Sequence, residues 1–134
     1  MIRTLALAFA ALLHLRSPTA TLTETARLVA STTTARSLVP LVAAVCFIES
    51  RAGEDRNARS LCGTRLHGEY IADGRQSVEV AARSLGRWMR RCGTMRGALI
   101  AYRYNGNCRD RDPDGYARRV TRVRGAIAGR LRRR

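Results

Sequence analysis

Residues 37–50 read Ser37-Leu38-Val39-Pro40-Leu41-Val42-Ala43-Ala44-Val45-Cys46-Phe47-Ile48-Glu49-Ser50, an apolar run that ends on a single acid. Leu38, Leu41, Val42 and Val45 recur at three- and four-residue spacing, which predicts a helix with one apolar face, and Pro40 fits only its first turn. Glu49 then falls in the last turn. There the negative end of the helix dipole and apolar neighbours such as Val45 and Phe47 disfavour the carboxylate and raise its pKa. A carboxylic acid still protonated near neutral pH is what glycosidic-bond cleavage asks of a general acid. Taken by itself, a glutamate ending an amphipathic helix is ordinarily a solvated surface residue.

Working outward, residues 51–57 are polar and aperiodic and read as a loop leaving that helix. Residues 58–74 contain Gly63, Gly68 and Gly74 and suggest a loop or a small irregular β-like flap. From Ser77 the helical period returns. Val78, Ala81, Ala82, Leu85 and Met89 share one face through residue 91, with Trp88 at its edge and Gly93 as a stop. Met95, Ala98, Leu99 and Tyr102 predict a further short helix ending at Asn105-Gly106. The last helix has Asp112 as expected N-cap, Pro113 in its first turn, and Tyr116, Val120, Val123, Ile127 and Leu131 on one stripe. Residues 21–36 read as a linker or short helix. With no repeat and no long alternation, the expected fold class is mainly α, one small domain with helices around a cleft.

The chain has 134 residues, room for a single core, and carries 25 basic residues against 10 acids, for a formal charge of +15. Every basic residue is Arg. Such a balance favours polyanionic partners, whether nucleic acid, anionic lipid or an acidic envelope polymer. Cys46, Cys62, Cys92 and Cys108 lack the spacing of a zinc site, and the only histidines are His14 and His67, so neither a metal nor another cofactor is expected. Two disulfides in an oxidising compartment account better for four cysteines. Residues 1–20 support that reading: a short positive start, then an apolar run over residues 5–13, has the layout of a signal peptide too short to anchor. The expected division is therefore 1–20 signal peptide, 21–36 linker or short helix, 37–128 domain and 129–134 basic tail.

Helix geometry bears on the cysteine pairing. A helix over residues 94–104 separates Cys92 from Cys108 by about 16 Å, whereas a disulfide needs Cα atoms within about 7 Å. This disfavours Cys92 with Cys108. It leaves Cys46 with Cys92 and Cys62 with Cys108, which we prefer, or Cys46 with Cys108 and Cys62 with Cys92.

Three segments, in order, resemble the soluble-type lytic transglycosylases of the lysozyme-like superfamily. They are Glu49-Ser50 followed by Ala58-Arg59-Ser60-Leu61-Cys62-Gly63; Ala98-Leu99-Ile100-Ala101-Tyr102-Arg103-Tyr104-Asn105-Gly106-Asn107; and Gly115-Tyr116-Ala117-Arg118-Arg119-Val120. The resemblance spans about residues 38–128. It implies a lysozyme-like fold in which Glu49 alone cleaves the MurNAc-GlcNAc β-1,4 bond of peptidoglycan. The acid first protonates the glycosidic oxygen. As a carboxylate it then accepts the muramoyl 6-hydroxyl proton, leaving a 1,6-anhydro end. The resemblance also implies that Tyr104 supports Glu49, and that Ser50, Ser60, Asn105, Tyr102 and His67 stand at or near the sugar groove. Either tyrosine of Tyr102-Arg103-Tyr104 fits the motif, and Tyr104 is preferred because Tyr102 lies on the apolar stripe. After Gly63 the family's Gly-Leu-Met-Gln-like stretch is replaced by Thr64-Arg65-Leu66-His67.

The implied partner is the peptidoglycan strand, met by a monomer in the periplasm or outside the cell, in a bacterial or phage setting. A hydrolysing variant would need a second acid from Glu54, Asp55, Glu69 or Asp73. Two other readings compete: a non-catalytic lysozyme-like glycan-binding module, and a basic helical nucleic-acid binder using Arg118, Arg119, Arg122 and Arg124. The N-terminal apolar run, the cysteines and the scarcity of aromatic residues for base stacking limit nucleic acid to non-specific contacts.

Overall fold

The computed structural model describes residues 1–104, 106–108 and 111–133, and is mainly helical. In chain order the elements are α1 (Ile2–Leu12), α2 (Ala20–Thr32), a 3₁₀ turn at Arg36–Leu38, α3 (Val39–Ser50), a hairpin of β1 (Arg65–Leu66) and β2 (Glu69–Tyr70), then α4 (Gly74–Cys92), α5 (Met95–Tyr104) and α6 (Tyr116–Arg132). The sequence predicts α3 and α5 within a few residues, and the hairpin falls inside residues 58–74, read there as a loop or a small irregular β-like flap. It places the start of α4 three residues late, because Asp73 caps that helix by accepting from the Gln76 N–H at 2.8 Å. It places the start of α6 too early. Asp112 does accept from the helix, at the N–H groups of Ala117 and Arg118, but from outside it, across a turn in which Gly115 takes the left-handed φ of 73°.

The third helix is apolar on all sides and not on one face, and the fold explains why. Residues 41–46 are all buried, since α6, α2 and α4 each pack against α3 along that stretch. The rest of the core is assembled around it from Leu22 and Val29 of α2, Leu85 of α4, Leu99 and Ile100 of α5, and Val120 and Ile127 of α6.

The first helix, the segment expected as a signal peptide, also enters this core. Leu5 and Phe9 are fully buried, Phe9 stacks on Phe47 with ring centroids 6.3 Å apart, and α1 packs against α2 and α6. Of the two readings of residues 21–36, linker or short helix, the helix is the one found: α2 runs through most of them from a Thr19 cap that accepts the Leu22 N–H at 3.1 Å. No helix among the described residues is long and apolar enough to cross a membrane.

The disulfides are Cys46–Cys62 and Cys92–Cys108. Both expected alternatives are therefore overturned. The error lay in treating α5 as a spacer and ignoring the return path. After Tyr104 the chain reverses at Gly106, whose N–H reaches the Ala101 carbonyl at 3.0 Å, and the residues up to Cys108 have an extended reach of about 13 Å, enough to retrace α5. The disulfide closes over the first turn of α5. A side chain at Gly97 would meet Cys92 Cβ at 3.1 Å and the Cys108 carbonyl at 3.2 Å, so the smallness of Gly97 lets the two strands pass.

Candidate active site

Glu49 sits half-buried at the C-terminal end of α3, lining a cleft of about 600 Å³. The loop that builds the cleft floor leaves α3 through Arg51, Ala52 and Gly53 in succession at positive φ (52°, 55° and 92°). Left-handed backbone is costly for the first two, so it is held in place by side chains. The Thr25 hydroxyl donates to the Ala52 carbonyl at 2.7 Å, and the Gly53 N–H donates to Ser50 Oγ at 2.9 Å. The Ser50 hydroxyl in turn donates to the Leu61 carbonyl at 2.7 Å, bringing the far end of the loop back to the helix. The Cys46–Cys62 bond fixes the same approach covalently, with Cα atoms 4.0 Å apart.

That approach brings Gly63 against the acid. A Cβ added at Gly63 would stand 2.4 Å from Glu49 Cδ and 2.6 Å from Oε1, and its φ of 68° also favours glycine. Backbone therefore covers one side of the carboxyl. Tyr116, the first residue of α6 and almost fully buried, donates its hydroxyl to Glu49 Oε2 at 3.1 Å. The Tyr102 hydroxyl lies nearby and donates to the Cys62 carbonyl at 2.8 Å, tying α5 to the disulfide loop. The Arg103 guanidinium covers the Tyr116 ring, 5.3 Å from its centroid.

Burial raises the Glu49 pKa above the usual carboxylate range, against the Tyr116 hydrogen bond and the charges of Arg103 and Arg119, which lower it; Asp114 adds to the rise. Burial also lifts the Tyr116 and Tyr102 hydroxyls, aided by the Glu49 charge, so both remain donors. Because Tyr116 occupies Oε2, a proton on the carboxyl belongs on Oε1, which has no hydrogen bond among the described residues.

Of the expected site residues, Glu49 and Tyr102 line the cleft. Tyr104 does not: its hydroxyl donates to Asp114. The tyrosine on the acid is instead Tyr116, which the sequence places on the buried stripe of the last helix. Ser50 is buried and clasps the loop, not the groove. Ser60 is buried as well, in a hydroxyl cluster with Ser77 at 2.9 Å and Thr64 at 3.2 Å, and only Thr64 of the three reaches the cleft. Ser77 escaped the sequence reading because nothing distinguishes it from a helix-start serine, yet it also accepts the Cys62 N–H at 3.0 Å. His67 turns the β hairpin at φ 53°, exposed and outside the cleft lining. Asn105 lies outside the described residues.

The remaining cleft walls come from Arg65 and Tyr70 of the hairpin and from Ser84, Arg87 and Trp88 of α4. Trp88 is half-buried with one ring face toward the Arg91 guanidinium, 5.5 Å away. The acids considered as second carboxylates are all elsewhere. Glu54 accepts from the Thr19 hydroxyl, Asp55 from the Asn57 N–H and Asp73 from the Gln76 N–H, and Glu69 is absent from the lining. Among the described residues no group of His, Cys, Asp and Glu side chains could hold a metal ion. Comparison with protein-family models, with curated proteins and with solved structures finds no match to this chain.

Proposed function

We propose that the protein is an exported, peptidoglycan-cleaving enzyme of the lytic transglycosylase type, with Glu49 as its acid and base. The observation that carries this reading is the acid in the cleft: Glu49 is half-buried and held by Gly63 and Tyr116, and among the described residues no other carboxylate lines the cleft. Ordinary retaining and inverting glycosidases need two carboxylates. One is enough when the nucleophile belongs to the substrate.

In the proposed reaction the proton on Glu49 Oε1 passes to the glycosidic oxygen as the bond from that oxygen to the muramoyl C1 breaks. The Glu49 carboxylate then takes the proton of the muramoyl 6-hydroxyl while its oxygen bonds to C1. Glu49 ends protonated, and no water is consumed. Arg103 and Arg119 lie close enough to steady the transient carboxylate. Tyr116 holds the carboxyl in one orientation throughout. The two disulfides suit the oxidising compartment in which such a substrate is found.

The test is digestion of purified peptidoglycan by the oxidised protein and by Glu49→Gln, with released muropeptides weighed by mass spectrometry. The expected products are lighter than hydrolysed ones by one water and vanish in the variant. Products of full hydrolysed mass would overturn the intramolecular route, and no release from folded protein would overturn catalysis.

A further inference from the structure

Arg75, Glu79, Arg83, Arg87 and Arg90 recur along α4 at three- and four-residue steps, which puts them on one side of the helix. With residues 31–35 at the end of α2 and Leu38, they line a second groove of about 720 Å³. Arg87 belongs to both this groove and the Glu49 cleft, so the two meet at that side chain. All four arginines are exposed and none forms an ion pair among the described residues, although Arg75 lies near enough to Glu24 to help lower its pKa. The lining also holds the hydroxyl-bearing Ser31, Thr32, Thr33 and Thr34, of which the Thr32 and Thr33 oxygens are buried without a hydrogen-bond partner among the described residues. Beyond Glu79, the like charges of Arg83, Arg87 and Arg90 repeat at helical steps that oppose folding unless something neutralises them. A groove of unpaired guanidiniums is accordingly built for carboxylate or phosphate.

We infer that this groove receives the carboxylate-bearing stem peptides of a glycan strand whose sugars occupy the Glu49 cleft. The inference rests on the peptidoglycan reading above and adds a peptide subsite to it. Glu79 decides between anionic ligands. Among the described residues it is the one acid lining the groove, so a ligand with several carboxylates and an ammonium matches the groove better than a uniformly anionic phosphate polymer. Arg87 stands where the two ligands join, with the sugar on one side and the first peptide residues on the other.

Binding of Glu49→Gln protein to intact cell walls, and to the same walls stripped of peptides by an amidase, tests the subsite without requiring cleavage. Arg83→Gln/Arg90→Gln should weaken binding to intact walls by about tenfold or more, the scale of losing a charge-assisted contact, and leave stripped walls unaffected. Arg122→Gln/Arg132→Gln, which removes equal charge from exposed positions of α6, is the control. Equal losses on both walls, or no difference from the control, would overturn the subsite. The expected difference in a protein whose wild type releases no muropeptides would keep the subsite and remove the catalytic reading.

Discussion

The two disulfides close loops of equal length, each with a sequence separation of 16, yet they do different work. Cys46 and Cys62 are fully buried, and their loop is pinned at several points by the Ser50, Thr25 and Ser77 side chains before it delivers Gly63 to the acid. Cys92 and Cys108 are half-buried and enclose α5, which brings Tyr102 to the cleft. In the unfolded chain the two cross-links remove similar freedom, about 3 kcal/mol each by loop-closure entropy. In the native state one sets the position of a carboxyl and the other the position of a wall. Equal contributions to stability therefore coexist with unequal contributions to the site.

The largest effect expected from this contrast is at Gly63. Gly63→Ala forces the Glu49 carboxyl aside and should lower wall-cleaving activity about a hundredfold, the scale of an ångström-sized misplacement. Activity within a few-fold of wild type would show that the carboxyl does not act from this position. Next comes a paired comparison. Cys46→Ser/Cys62→Ser and Cys92→Ser/Cys108→Ser should each lose about 2–4 kcal/mol in denaturant unfolding, but only the first should abolish cleavage at a temperature where both remain folded. Similar activities in the two would erase the distinction.

Tyrosine substitutions sharpen it further. Tyr116→Phe removes a hydrogen bond that lowers the Glu49 pKa, so the alkaline limb of the activity profile should move to higher pH, whereas Tyr104→Phe should leave that limb in place. Stability carries the same sign. The Glu49 pKa is raised in the folded protein, so its contribution is fully present below the ordinary carboxylate pKa and is lost as pH rises through the folded value. Melting temperatures of wild type and Glu49→Gln across pH should diverge over that window, with the variant flat. The smallest effect belongs to Arg51→Gly, which relieves an exposed left-handed cap at φ 52° and should stabilise by about 0.5–1 kcal/mol in denaturant unfolding.

Local signals account for what could be read from the chain alone. Apolar spacing marks α3 and α4, the glycines mark the hairpin, and the acid at the end of α3 stands out because nothing polar precedes it. The misread starts of α4 and α6 turn on local caps and turns at Asp73 and Gly115, whereas the other main misreadings involve residues that meet across longer stretches of sequence. Nothing local reports that the segment after Tyr104 doubles back to Cys92, that Tyr116 reaches Glu49, or that α1 supplies Phe9 to stack on Phe47. Ser50 and Ser60 fit a motif, but their burial depends on the loop that covers them. Tyr102 and Tyr104, two residues apart on α5, part between the cleft and Asp114, and Asp114 lies in the turn before α6, ten residues from Tyr104.

The reach of the Tyr116 hydroxyl to Glu49 has a consequence for the order of biosynthesis. The bond spans 67 positions of sequence, while each disulfide spans 16. A chain emerging from the ribosome or a translocation channel can close its first cross-link once residue 62 is out. The carboxyl has no partner from α6 until residue 116 follows. A carboxyl held this way is set only when the last helix docks, so the site stays incomplete for most of the chain's synthesis.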